Sequence, residues 1–160
     1  MEWENEITMA KSIMAWHFVG KTLRNGRDIP PDGVELVHDG DLLLCVCGLH
    51  ASERLIDALS YAPGNILCRV KCGGRIQKSD DKLVCTRRTI EWRLDSEEVL
   101  LAFADQLATM PNRLMSAHAS ADRAAVIARN RARRGGPDMH NKASTEQNET
   151  LTAMVMATRK

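Results

Sequence analysis

The sequence lacks a dominant charge. Its 160 residues carry 22 lysines and arginines against 21 aspartates and glutamates, a formal net charge of +1. Bulk electrostatics therefore single out no class of partner. A long apolar run is also missing: none approaches the ~20 residues of a membrane-spanning helix, so no membrane partner is expected. The opening MEWENEITMAK is acidic and lacks the basic-then-apolar form of a secretory signal, and a cytoplasmic protein is the expectation. The five cysteines are an odd set. Without a signal peptide this argues against a disulfide framework and for reduced thiols in the core. Neither common glycine-rich phosphate loop is present.

What is present is enough apolar sequence, 44%, for one domain of ordinary size. Residues 13–19 form a candidate strand, and 21–33 are turn-rich, with Asn25-Gly26 and Pro30-Pro31. Residues 41–47 read as an apolar strand and 53–61 as a helix ended by Pro63-Gly64. In residues 66–72, Ile66, Cys68, Val70 and Cys72 alternate with Leu67, Arg69 and Lys71, the period of a half-buried strand. Gly73-Gly74 then breaks the pattern. A short strand is predicted at 82–85 and a second alternating one at 88–94, with Ile90, Trp92 and Leu94 on one face. Asp95-Ser96-Glu97-Glu98 reads as a capping box that opens a helix with Val99, Leu100, Phe103, Leu107 and Met110 on its stripe.

Strands first and helices last indicate an α+β fold, a small and mostly antiparallel sheet packed against helices with a helical C-terminal extension. The expected units are an α+β core over 1–111, a basic alanine- and arginine-rich helix over 112–135, and a flexible segment with a short closing helix over 136–160.

The stretch CVCGLHAS, residues 45–52, carries the densest candidate chemistry. Structural zinc usually takes cysteine pairs spaced C-x2-4-C. Here Cys45 and Cys47 are C-x-C, Cys68 and Cys72 are C-x3-C, and Cys85 stands alone. All fall in predicted strands, where side chains do not converge on one ion. No metal is expected, and the thiols read as core. A Cys47–His50 nucleophile and base would need a third group to orient them, and none is apparent. On the ligand-binding reading, Gly48 turns the chain, and His50 and Ser52 stand at a pocket mouth. Ser52 would also cap the following helix. In the basic helix, Arg123, Arg129, Arg131, Arg133 and Arg134 could contact nucleic-acid phosphates. No aromatic is interleaved there for stacking. The C-terminal helices could serve self-association.

Two resemblances follow. The segments AWHFVGKTLRNGRDIPPDG, CGLHASERLIDALSYAPGNILCRVKCGG and DDKLVCTRR resemble an uncharacterised domain family of bacteriophage and bacterial genomes. That resemblance implies a phage or prophage source, a host-cell cytoplasmic setting and a host or anti-phage defence protein as partner. The order of WHFVG, GLHAS with DALSYA, and a later strand glutamate is similar to ADP-ribosyltransferases of the histidine–tyrosine–glutamate type. This implies NAD as cofactor, with His17, Tyr61 and Glu91 as catalytic residues and His17, His50, Ser52 and Tyr61 around the cofactor. The similarity departs from the type where Phe18-Val19 replaces glycine-threonine after the histidine. The rival expectation is a non-enzymatic protein that modulates its partner by binding.

Overall fold

Two thirteen-residue strands organise the sheet. The computed structural model describes residues 8–9, 11–108 and 140–159. Its elements are β1 (Thr8–Met9), β2 (Ile13–Val19), β3 (Glu35–Val37), β4 (Leu49–Ala51), α1 (Leu55–Ser60), β5 (Ile66–Lys78), β6 (Leu83–Asp95), α2 (Glu97–Ala108) and α3 (His140–Thr158). The α+β class is as expected. β5 and β6 form a central hairpin. β1 and β2 line the outer side of β5, and β3 and β4 that of β6, with every pair antiparallel.

The sheet closes on itself at one point. Trp16 of β2 and Ser52, just beyond β4, exchange both backbone hydrogen bonds, at 2.7 and 2.9 Å. A flat sheet cannot bring its two outer strands together, so the hairpin must bend. Two register shifts in the β5–β6 ladder supply the bend. The first leaves Glu91 as an extra residue on β6, and the second puts an extra residue on β5 between Gly73 and Ile76. Gly74 has φ +73, and a Cβ there would lie 2.1 Å from Thr86 Oγ1. Thr86 Oγ1 instead accepts the Arg75 amide. Glycine thus lets the strand bend where the sequence pattern predicts a break, and β5 runs through it. The bulge at Glu91 also splits the predicted stripe: Ile90 joins the inner face, while Trp92 and Leu94 pack on the outer one.

Each face has its own core. On the outer face, Trp16, Phe18 and Leu67 pack against Leu55 and Leu59 of α1, Leu100 and Phe103 of α2, and Leu151 and Val155 of α3. Burying side chains of this size contributes roughly 1.5–3 kcal/mol each. On the inner face the sheet wraps Ala15, Val19, Ala51, Cys68, Val70, Cys72, Ile76, Leu83, Cys85 and Ile90. Leu23 and Ile29, from the predicted turn-rich loop, lie over that cluster.

Several local expectations change. Residues 41–47 are not a strand. Leu43 and Cys47 pair across a tight turn in which Cys45 takes φ +70, and the strand is the shorter β4 beyond Gly48. Ser52 does not cap α1; its backbone closes the sheet, and the N-cap position is Arg54, with no side-chain cap bond. At α2, the Asp95 carboxylate caps the Glu97 amide, while the Ser96 hydroxyl donates to the Asn65 carbonyl. α3 starts well before the predicted short helix and docks on the body. Asn148 Oδ1 accepts the Ile56 amide, and Leu151 and Val155 are fully buried. Met110 of the predicted α2 stripe, and the predicted basic helix over 112–135 with its arginines 123, 129, 131, 133 and 134, lie outside the described residues. Among the described residues no helix is long and apolar enough to cross a membrane.

A candidate anion site on the inner face

Strand register places an unusual polar set inside an apolar cluster. Residues directly opposite in adjacent strands share a face. The row His17–Cys68–Arg93, the row Ala15–Val70–Ile90 and the row Ile13–Cys72–Arg88 all point inward. Arg93 at the end of its row is clamped by the loop: Nε donates to Asp32 Oδ1 at 2.6 Å and NH2 donates to the Pro30 carbonyl. Arg88 has no such partner. It is 6% exposed, its NH1 donates to the His50 backbone carbonyl, and its Nε is buried with no acceptor. The ion pairs among the described residues join Arg54 to Asp57, Lys78 to Glu53, Arg87 to Glu35 and Arg93 to Asp32. None of them reaches Arg88.

Burial lowers the Arg88 pKa, but a guanidinium stays charged in proteins. A buried cation with no counter-charge costs several kcal/mol. The surrounding thiols give little relief. Burial raises Cys68 to about 11 and, after its hydrogen bond with Cys85, raises Cys72 further. Cys85 Sγ donates toward the carbonyls of Leu49 and Arg87, at 3.3 and 3.1 Å. The hydrogen bond from the Cys72 thiol, and after it the charge of Arg88, lower the Cys85 pKa against burial, while the two carbonyl oxygens facing the sulfur oppose a negative charge there.

His17 stands on the same inner face, partly buried, and no hydrogen bond to its ring is found among the described residues. Burial first, then the charges of Arg88 and His50, hold its pKa well below the ordinary value of 6.5. His50 has a different task. Its Nε2 accepts the Cys45 amide at 2.9 Å, which puts the ring proton on Nδ1. Burial, Arg24 and Arg88 lower its pKa, against a raising contact with the Gly48 backbone. The ring thus ties the 43–47 turn to β4. Gly48 has φ +111, and a Cβ there would meet Val84 Cγ2 at 2.3 Å and Leu42 Cδ2 at 2.8 Å. CVCGLHAS is a tight turn locked by a histidine, and Ser52 is 2% exposed in the sheet closure. Cys45 is exposed and Cys47 intermediate, so these two are not core thiols; Cys68, Cys72 and Cys85 are buried.

The remaining candidates fall elsewhere. α1 packs on the face of β2 that carries Trp16 and Phe18, opposite to His17. Tyr61, at the end of α1, is 49% exposed. Its hydroxyl donates to Asp81, and Lys82 lies over its ring at 4.8 Å. Burial and then that hydrogen bond raise its pKa. Glu91 is exposed on the outer face, in a shallow groove of about 410 Å³ with Lys71, Gly73, Arg87 and Thr89. The structure therefore places His17 and Arg88 on the same inner face, in different rows of the sheet, and does not bring His17, Tyr61 and Glu91 together. No cluster of three or more His, Cys, Asp or Glu able to hold a metal occurs among the described residues.

Sequence reasoning misses Arg88, although the alternation points to it. The stripe read from Ile90 onward, extended two residues back, lands on an arginine where an apolar residue is due.

Fold and site define a small α+β domain whose curled antiparallel sheet encloses an unpaired guanidinium. The chain belongs to the family described as Domain of unknown function (DUF7666), which matches residues 13–102, more than half of the chain. That span contains both His17 and Arg88. No curated protein and no solved structure matches the chain.

Proposed function

We propose that the domain binds a small phosphate-bearing molecule of the nucleotide class through Arg88. The observation that carries this reading is the buried guanidinium with a free Nε and no carboxylate partner among the described residues. Arginine presents a planar fork suited to phosphate oxygens, and a charge-assisted bond there is stronger than a neutral one. An anion would supply the counter-charge that the chain withholds. The loop that lays Leu23 and Ile29 over the inner cluster covers this face, and Arg24 of that loop reaches the Cys45 carbonyl at 3.5 Å.

ADP-ribosyl transfer would need His17, Tyr61 and Glu91 around one nicotinamide. Their separate positions give that chemistry no support, so NAD becomes one phosphate-bearing ligand to test among others. The experiment is calorimetric titration of inorganic phosphate, ADP and NAD into wild type, Arg88→Met and Tyr61→Ala. Saturable binding that Arg88→Met loses and Tyr61→Ala keeps supports the reading. Binding unchanged in Arg88→Met, or no binding of any of the three, rejects it.

The second reading, a modulator of a host or defence protein, has one observation in its favour. Val34, Val37, Leu43 and Val46 are large exposed hydrophobics, Val46 at 67%, in the stretch that leads into β3 and β4. Exposed apolar side chains in one stretch suit a protein partner. Leu43→Asp with Val46→Asp would abolish capture of such a partner from host lysate. Self-association through the C-terminal helix gains nothing from Leu151 and Val155, which are used within the chain.

A further inference from the structure

We infer that the exposed end of the outer face is a separate binding site, a groove for a small zwitterion of amino-acid or dipeptide size. Lys71 and Arg87 hold its carboxylate, and Glu91 holds its ammonium group. This goes beyond the anion-binding reading and shares no residue with it.

The helices pack on the other end of that face, over Trp16, Phe18 and Leu67. Arg69 comes next along β5 and stacks on the Trp16 ring at 4.2 Å. Two rows of the sheet follow. Lys71 of β5, Thr89 of β6 and Glu35 of β3 lie directly opposite one another, and so do Gly73, Arg87 and Val37. All of these except Val37 line the groove of about 410 Å³, together with Glu91. That volume lies in the range of small-molecule sites, roughly 300–1,000 Å³.

Gly73 is the residue whose identity the fold does not require. Its neighbour Gly74 must be glycine, both for φ +73 and for the approach of Thr86. Gly73 has no positive φ, and a Cβ there would meet nothing within 4 Å. Glycine inside a strand weakens it, and where it makes no bend it marks a place where another molecule comes close to the backbone. Here the missing side chain opens the floor of the groove. Lys71 stands two residues away on the same strand, and Arg87 stands directly opposite.

The charges around that floor do not all neutralise one another. Arg87 and Glu35 form an exposed pair at 3.4 Å through NH1, which leaves other donors of the guanidinium fork for a ligand. Lys71 and Glu91 take part in none of the ion pairs among the described residues. A cation and a carboxylate that share a groove without pairing suit a ligand that carries both signs. Other ligand classes fit less well. No aromatic ring stands among the described residues that line the groove, so a base would have nothing to stack on. A polyamine would leave Lys71 and Arg87 unanswered, and a phosphate would face Glu35 and Glu91. A zwitterion answers both signs, and the Thr89 and Ser12 hydroxyls serve its remaining polar groups.

The test titrates isotope-labelled full-length protein with each common amino acid and with each dipeptide that ends in glycine. Concentrations run up to about 10 mM, where a dissociation constant near 1 mM still registers. Expected is saturable movement of the Gly73 and Thr89 amide signals with at least one compound. Acetylating its α-amino group, or amidating its carboxylate, should weaken it about tenfold or more. Lys71→Gln and Glu91→Gln should do the same, and Arg88→Met should leave binding unchanged. Gly73→Val should fill the floor and abolish binding. It should also leave the urea midpoint of the ligand-free protein unchanged or higher, because its Cβ meets nothing and β-branched side chains suit strands.

An absence of movement with every compound overturns the inference. So does a ligand that binds as tightly after acetylation or amidation, or at full strength to both Lys71→Gln and Glu91→Gln. Binding lost in Arg88→Met would put the ligand on the inner face, against the inference. A destabilised Gly73→Val would show that the fold itself needs this glycine, and would remove the ground on which the site stands.

Discussion

The guanidinium of Arg88 donates to the backbone carbonyl of His50 and to no carboxylate among the described residues. A group kept for folding would be expected to satisfy its charge within the fold. Replacing buried charges by apolar side chains of similar volume is often neutral or stabilising, by up to about 1–4 kcal/mol. Arg88→Met should therefore leave the ligand-free protein as stable as wild type or more so, in urea unfolding, while phosphate binding disappears. A loss of several kcal/mol would make Arg88 a structural residue.

Gly48 is held to its conformation from two sides, by φ +111 and by the close approach of Val84 and Leu42. Gly48→Ala adds backbone strain and overpacking at once. A loss of about 3 kcal/mol or more is expected in urea unfolding. Gly33, with φ +82 and nothing near its missing Cβ, is the control. Gly33→Ala should cost about 1 kcal/mol, from the backbone alone.

His17 and His50 should make the protein acid-sensitive. Both have folded pKa values below the ordinary 6.5. The unfolded chain then binds protons first as pH falls. The stabilisation is complete above pH 6.5 and is lost progressively below it, down to the folded values. It amounts to about 1.4 kcal/mol for each pH unit by which the folded pKa lies below the unfolded one. Unfolding free energies measured from pH 7.5 to 5 should fall more steeply for wild type than for His17→Gln. Equal slopes would mean that His17 has an ordinary pKa.

α3 is a structural part of the domain although it lies outside the span shared with the family. Leu151 is fully buried between α1 and α2, and truncations of this kind cost about 2–5 kcal/mol. Leu151→Ala should lower stability by that amount. The exposed Met156 on the same helix is the control, and Met156→Ala should change it by less than about 0.5 kcal/mol.

What can be read from the chain in advance follows from which signals are periodic. The first half of β5 and the stripe of α2 as far as Leu107 rest on alternation or helical spacing, and both are present. The failures occur where one residue shifts the register. Gly73-Gly74 reads as a break because glycine usually punctuates a strand; a partner strand with Thr86 in place turns it into a bend. Glu91 reads as an ordinary polar-face residue, and its bulge sends Ile90 and Trp92 to opposite sides. The catalytic trio rests on order along the chain, which carries no information about which face of β2 meets α1. Arg88 escapes notice because a single arginine in a strand reads as surface until its pairing partners are known.

The bridge between Trp16 and Ser52 also orders the folding process. β5 and β6 are neighbours in sequence, joined by a turn in which the Ser79 amide donates to the Lys82 carbonyl. They can zip together locally, on a timescale of microseconds. The bridge can form only after that hairpin has bent and gained β2 on one side and β4 on the other, so it is a late contact. Late contacts govern how fast a protein comes apart more than how fast it assembles. Loosening this closure should shorten the lifetime of the native state and expose the inner face, with Arg88 inside it, while refolding proceeds at nearly its normal rate. The ring closure thus acts as a kinetic latch on the compartment that it completes.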